Sequence, residues 1–210
     1  MKIRESFVAN SSSSSFIVGC NEQVLRPVDF IKHWFNDRTE GFPIPYAAGL
    51  MGVGDVAEFC SRNFKQIPMD LPEDLSTIID LCIKGELPYD ANANYDDIRV
   101  TDIIDDIVSG IKYGASDIVH RAYKVKTGEE YYARSASPDS WKKRDEFENE
   151  YVTANYKDQM LAEVNEVFAE LKNFKYFYGA EISDNDGNSD LEHNEVIWTV
   201  VPYCYRISNH

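Results

Sequence analysis

The stretch that decides the fold is "FVANSSSSSFIVG", residues 7–19, where five consecutive serines, Ser11 to Ser15, are set between short apolar runs. A serine tract alone reads as a solvated linker. Phe7-Val8 on one side and Phe16-Ile17-Val18 on the other have the aromatic and β-branched character of buried strands. Residues 2–8 and 16–19 are therefore predicted as extended segments joined by an Asn-Ser loop. The far end of the chain has the same texture. "YFYGAEI" (176–182) and "EVIWTVVPYCYRI" (195–207) both read as strands, with the polar "SDNDGNSDLEHN" (183–194) between them.

Between these ends the pattern is mostly helical. A short helix after Pro27 carries Phe30, Ile31, Trp34 and Phe35 on one face, residues 41–54 read as a loop, and a helix over about 55–65 follows. Asp70 and Glu73 have capping-box spacing ahead of "LSTIIDLCIKG" (75–85), which Gly85 closes. Thr101 caps a helix with Ile103, Ile104, Ile107, Val108 and Ile111 on one stripe and Gly114 as its stop. Tyr123 to Tyr132, turning at "TGEE", reads as a hairpin within 121–133. Residues 139–173 read as two helices, or one with a break near Val152-Thr153. The order predicts a single α+β domain over 1–210: the ends, 1–20 and 174–210, form a sheet on which the mainly helical middle, 21–173, packs.

Composition narrows the function classes. The 210 residues are 43% hydrophobic and 13% aromatic, enough for a core. A net charge of −15, from 36 acidic against 21 basic side chains, argues against broad non-specific nucleic-acid binding. No apolar run approaches the roughly 18–20 residues that span a bilayer, and the serines stand where a signal peptide needs its apolar core. The chain thus reads as cytoplasmic, with no membrane partner. Cys20, Cys60, Cys82 and Cys204 are scattered without a CxxC pair and read as buried free thiols.

Chemistry-bearing residues concentrate at the two ends. Six carboxylates and no lysine or arginine occupy residues 176–205. Such an oxygen-rich segment suits Mg²⁺ or Ca²⁺, so Asp184, Asp186 and Glu192 are candidate ligands of a divalent cation. An EF-hand is rejected, because Ser189 stands where the loop needs glycine and the flanks read as strands. Asp186-Gly187 serves equally well as a plain hairpin turn. His193 and His210 are candidate proton carriers. Asn10 and Ser11, Ser12, Ser13, Ser14 and Ser15 are candidate ligand-binding residues, since clustered hydroxyls and backbone N–H groups can surround an anion. There is no GxSxG elbow and no phosphate-cradling glycine loop. A third feature is a basic stretch in which Arg121, Lys124, Lys126, Arg134 and Lys142 to Arg144 interleave with Tyr123, Tyr131, Tyr132 and Trp141. That mixture suits single-stranded nucleic acid, although an ordinary hairpin face and helix start account for it as well.

"KIRESFVANSSSSSFIVG" resembles the start of an uncharacterised family of proteins from tailed bacteriophages and bacteria, whose N-termini read R-x-x-F-V-S-N-S-S-S-S-S-F. Arg4, Phe7, Val8, Asn10, Ser11 to Ser15 and Phe16 match, with Ala9 in place of a serine. The C-terminal end resembles the same family's S-D-N-D-G, E-H and R-I-S-x-H segments at Ser183 to Gly187, Glu192-His193, and Arg206-Ile207-Ser208 with His210. The resemblance carries no activity. It implies that the motifs occur as a pair, and hence that the terminal strands are neighbours with the serines facing the acidic segment. It also implies residence in a bacterial host's cytosol and a host or phage protein as partner. Two functions follow as expectations. One is a non-catalytic, phage-type accessory protein that binds a host or phage macromolecule. The other is a metal-assisted hydrolase or binder of a phosphorylated small molecule, built from the serines and the DNDG/EH segment.

Overall fold

The computed structural model describes residues 13–45, 47–68, 72–87, 98–132, 137–183 and 189–209. Along the chain run β1 (Ser13–Cys20), α1 (Pro27–His33), β2 (Phe42–Pro43), β3 (Leu50–Met51), α2 (Val53–Asn63), β4 (Lys65–Ile67) and α3 (Leu75–Lys84). Then come α4 (Asp102–Thr127), α5 (Pro138–Leu171), β5 (Tyr176–Ser183), α6 (Ser189–Glu192), α7 (Glu195–Val200) and β6 (Tyr203–Asn209). The fold class is α+β. Contacts divide the chain into two compact units. One is built from the described residues of Met1–Leu71, Asp90–Ile103 and Phe168–His210, the other from those of Pro72–Tyr89 and Ile104–Val167.

The first unit contains an antiparallel sheet of order β4-β5-β1-β6. The N-terminal strand lies between the two C-terminal ones, pairing Phe16 with Ala180 on one side and with Arg206 on the other. The terminal segments therefore share one sheet, as the paired end motifs imply. A central strand is covered on both faces and needs a continuous apolar run. Phe16, Ile17 and Val18 supply it, each fully buried. Phe16, Val18 and Cys20 join Tyr178, Ala180 and Ile182 of β5 in a core completed by side chains of α1, α2 and α7. Its aromatic members interlock: Phe16 stacks on Trp198 with centroids 4.4 Å apart, and Trp34 meets Phe64 edge-on at 5.0 Å. The opposite face is tight at Gly19, where a Cβ would lie 3.0 Å from the Phe174 ring, so any larger residue there has to displace that ring.

Several sequence expectations are corrected. The serine tract is not all loop: Ser13 to Ser15 already belong to β1, and Ser14 and Ser15 are buried. Residues 195–200 form α7, not strand, because Asn194 caps the turn by accepting from the Ile197 N–H at 3.2 Å while Ile197 and Trp198 are buried in the core. β-branched residues here obey the cap and the core, overriding intrinsic preference. Residues 41–54 are not all loop either. β2 and β3 pair within them, and α2 starts at Val53. β4 pairs with β5, adding a strand that the sequence reading lacks.

The second unit holds α3, most of α4 and most of α5. Asp74, not Asp70, caps α3, accepting from the Thr77 N–H at 3.1 Å; Asp70 lies outside the described residues. Gly85 ends α3 in the left-handed conformation at φ 68°, as its position predicts. The expected hairpin at 121–133 is absent: α4 runs through Gly110 and Gly114 to Thr127. A helical glycine costs about 1 kcal/mol against alanine, and buried Ala115, Val119 and Tyr123 extend the apolar stripe past that cost. Gly128, at φ 76°, is the stop instead, its N–H bonding the Lys124 carbonyl at 2.8 Å. α5 passes Val152-Thr153 unbroken, having no glycine or proline after Pro138.

Candidate functional site

The β1–β6 register builds the site. In an antiparallel pair, residues directly opposite and on the diagonal share a face. Arg206 is opposite Phe16, so it is diagonal to Ser14. The guanidinium lies over the Phe16 ring, 5.5 Å from its centroid, and reaches Ser14. Its Nε and Nη2 donate to the Ser14 Oγ at 3.1 and 2.9 Å. The Ser14 hydroxyl in turn donates to the Glu192 Oε1 at 2.6 Å, and Arg206 Nη2 closes the triangle on that oxygen at 3.2 Å.

Glu192 is brought there by the α6–α7 corner. The Asn194 amide donates to the Pro43 carbonyl at 2.6 Å while its oxygen caps α7, and the Trp198 Nε1 donates to the Leu191 carbonyl at 2.8 Å. The Trp198 ring that stacks on Phe16 thus also holds the turn carrying Glu192 against β1. Ser14 and Glu192 are each 1% exposed, and the Arg206 side chain is 15% exposed. A carboxylate so buried is stable only when paired and hydrogen-bonded, and Arg206 with Ser14 supplies both. The serine hydroxyl has one proton to give and lone pairs to receive; both capacities are used.

The candidate residues therefore divide. Ser14 and Glu192 meet, so the two end motifs touch in the folded chain. Ser15 is buried in β1, and Ser13 pairs with Ser183 and Asn209. His193 follows Glu192 in the turn, its Nε2 3.9 Å from the Glu192 Oε2, beyond hydrogen-bond reach. Asn10, Ser11, Ser12, Asp184, Asp186 and His210 lie outside the described residues. Among the described residues no group of three His, Cys, Asp or Glu side chains could hold a metal ion. Arg206 is the site residue that the sequence reading gave no role. The run without cations from 176 to 205 ends one position before it, and its place within R-I-S-x-H was the signal.

The arrangement is electrostatically closed. A nucleophilic serine needs a base that takes its proton and a path for substrate. Here the proton points at a carboxylate whose charge is held by a guanidinium, in an interior position. The thiols of this unit are equally withdrawn. Burial raises the Cys204 thiol to about 12 and the Cys60 thiol higher still, so neither is a thiolate at neutral pH. Among the described residues no helix is long and apolar enough to cross a membrane. Compared with protein-family models, curated proteins and solved structures, the chain matches none of them.

Proposed function

We propose that the chain is a non-catalytic binding protein, a phage-type accessory protein that engages a host or phage macromolecule in the bacterial cytosol. One observation carries this reading: the Ser14 hydroxyl, the Glu192 Oε1 and the Arg206 guanidinium bond one another across the sheet. Ser14, Glu192 and Arg206 act as a latch that fixes β1 between β5 and β6, and none of these three faces a substrate as nucleophile or base. A structural role also explains why the motifs come as a pair, since each end supplies what the other must neutralise.

The test uses the full chain as immobilised bait for bacterial lysate, followed by re-purification of any complex and measurement of its stoichiometry. A stoichiometric partner retained equally by a folded Ser14→Ala bait is the expected result. A chain that stays alone yet turns over a phosphorylated small molecule overturns the reading. The metal-assisted alternative is checked by thermal unfolding with Mg²⁺, Ca²⁺, Mn²⁺ or Zn²⁺. A midpoint raised by one ion, and lost in Asp184→Ala with Asp186→Ala, would support a cation site in the acidic segment.

A further inference from the structure

The helical unit contains a guanidinium more deeply buried than that of Arg206, and among the described residues no carboxylate closes on it. Arg144, in the second turn of α5, is 2% exposed, and its Nε and Nη1 have no hydrogen-bond acceptor. A cation is among the costliest groups to bury without an acceptor. Two rings offset part of that cost, the Arg144 Cζ standing 4.9 Å from the Trp141 centroid and 5.9 Å from that of Tyr123. The nearest carboxylates by helix spacing and loop position are engaged elsewhere. Glu148, one turn on, accepts from the Tyr131 hydroxyl, and Glu129 accepts from the Tyr123 hydroxyl at 3.4 Å.

Above this cation lie exposed aromatic faces. Tyr132 is 67% and Trp141 41% exposed, with ring centroids 6.4 Å apart, and His120 meets Tyr132 at 4.8 Å. Lys142 and Lys143, beside Trp141, are exposed. Trp141 stands three residues before Arg144 on the same helix, so the two side chains share one face. Exposed ring faces beside a cation in need of an acceptor match a ligand with a ring and an oxyanion.

We propose that Arg144, Trp141 and Tyr132 form a binding site for a nucleoside monophosphate. The phosphate accepts from Arg144 Nε and Nη1, and the base stacks on Trp141 or Tyr132 as Trp141 swings aside. The net charge of −15 repels a long phosphate backbone, which favours the small ligand over a nucleic-acid strand. The site uses none of the latch residues and stands whether or not the chain also binds a macromolecule.

Isothermal titration of the full chain with AMP, inorganic phosphate and adenosine tests it. AMP is expected to bind saturably, phosphate more weakly, and adenosine weakest. Arg144→Met should weaken AMP binding by about tenfold or more, the loss expected for a charge-assisted hydrogen bond, without lowering the unfolding midpoint. Trp141→Leu with Tyr132→Ala, at the exposed rim, should weaken AMP without weakening phosphate; this arm decides the matter if Arg144→Met does not fold. No saturable binding of AMP at millimolar concentration overturns the proposal, as does parental affinity in either variant. Phosphate binding as strong as AMP binding overturns the assignment of the ring subsite.

Discussion

Two arginines, Arg206 partly buried and Arg144 fully so, differ in what accepts from them. Arg206 lies under the sheet's C-terminal strand with Ser14 and Glu192 closed around it, whereas Arg144 lies in the helical unit between two rings with Nε and Nη1 unanswered. Both rest against aromatic rings, Arg206 on Phe16 and Arg144 on Trp141. A ring beside the cation is thus common to both, and the acceptor separates a structural latch from a candidate binding site. A buried ion pair is costly to break from one side, because the remaining charge is stranded. A buried charge with no pair has nothing to strand.

The comparison is broken most severely by Arg206→Ala. It leaves Glu192 ionised in the interior and should cost about 3–5 kcal/mol in urea unfolding at neutral pH. Glu192→Leu together with Arg206→Met should cost less than Arg206→Ala alone, since both charges leave at once. Ser14→Ala comes next. It removes a hydroxyl that both partners use, for a loss of about 1–3 kcal/mol. Asn194→Ala should cost about 1 kcal/mol through the α7 cap, and somewhat more through the freed Pro43 carbonyl. Arg144→Met stands at the opposite end, with no loss of stability and a midpoint equal to or above the parent's.

A smaller effect sharpens the same contrast among carboxylates. Asp105 lines a cavity of about 530 Å³ with Lys112, Asp145, Glu148 and Asn149. Burial raises its carboxyl above the usual range, opposed by a hydrogen bond with the Cys82 thiol and by Lys112. A carboxyl raised on folding contributes stability that is complete below its unfolded pKa and is lost as pH rises through the folded value. Asp105→Asn should therefore raise the unfolding midpoint at pH 7, and the gain should shrink as the pH falls through the carboxylate range. A gain that persists undiminished in acid would show that the side chain acts by packing and not by charge.

The sheet was legible in the sequence for a physical reason. Phe16-Ile17-Val18 is a continuous apolar run of the kind a covered strand needs, "YFYGAEI" is interrupted only at Glu181, and the pairing of the end motifs in the family resemblance implies their contact. Glu192 as a candidate cation ligand and Ser14 as a candidate anion-binding hydroxyl are legible from residue type, and the two side chains meet each other. Arg206 was missed because its role depends on register. It reaches Ser14 only when paired opposite Phe16, and no local spacing encodes that pairing. Residues 195–200 were misread because strand-forming composition cannot reveal a cap made by Asn194 or a Trp198 ring already committed to Phe16. The false hairpin at 121–133 arose from taking Gly114 as a stop while Val119 and Tyr123 continue the stripe beyond it.

The central claim is that Ser14, Glu192 and Arg206 are one interacting unit holding the chain's two ends together. Its most direct test is a double-mutant cycle of Glu192→Gln and Arg206→Met, read by urea unfolding at neutral pH. A coupling of about 1.5 kcal/mol or more between the two sites is the predicted result. Additivity to within about 0.5 kcal/mol would contradict it.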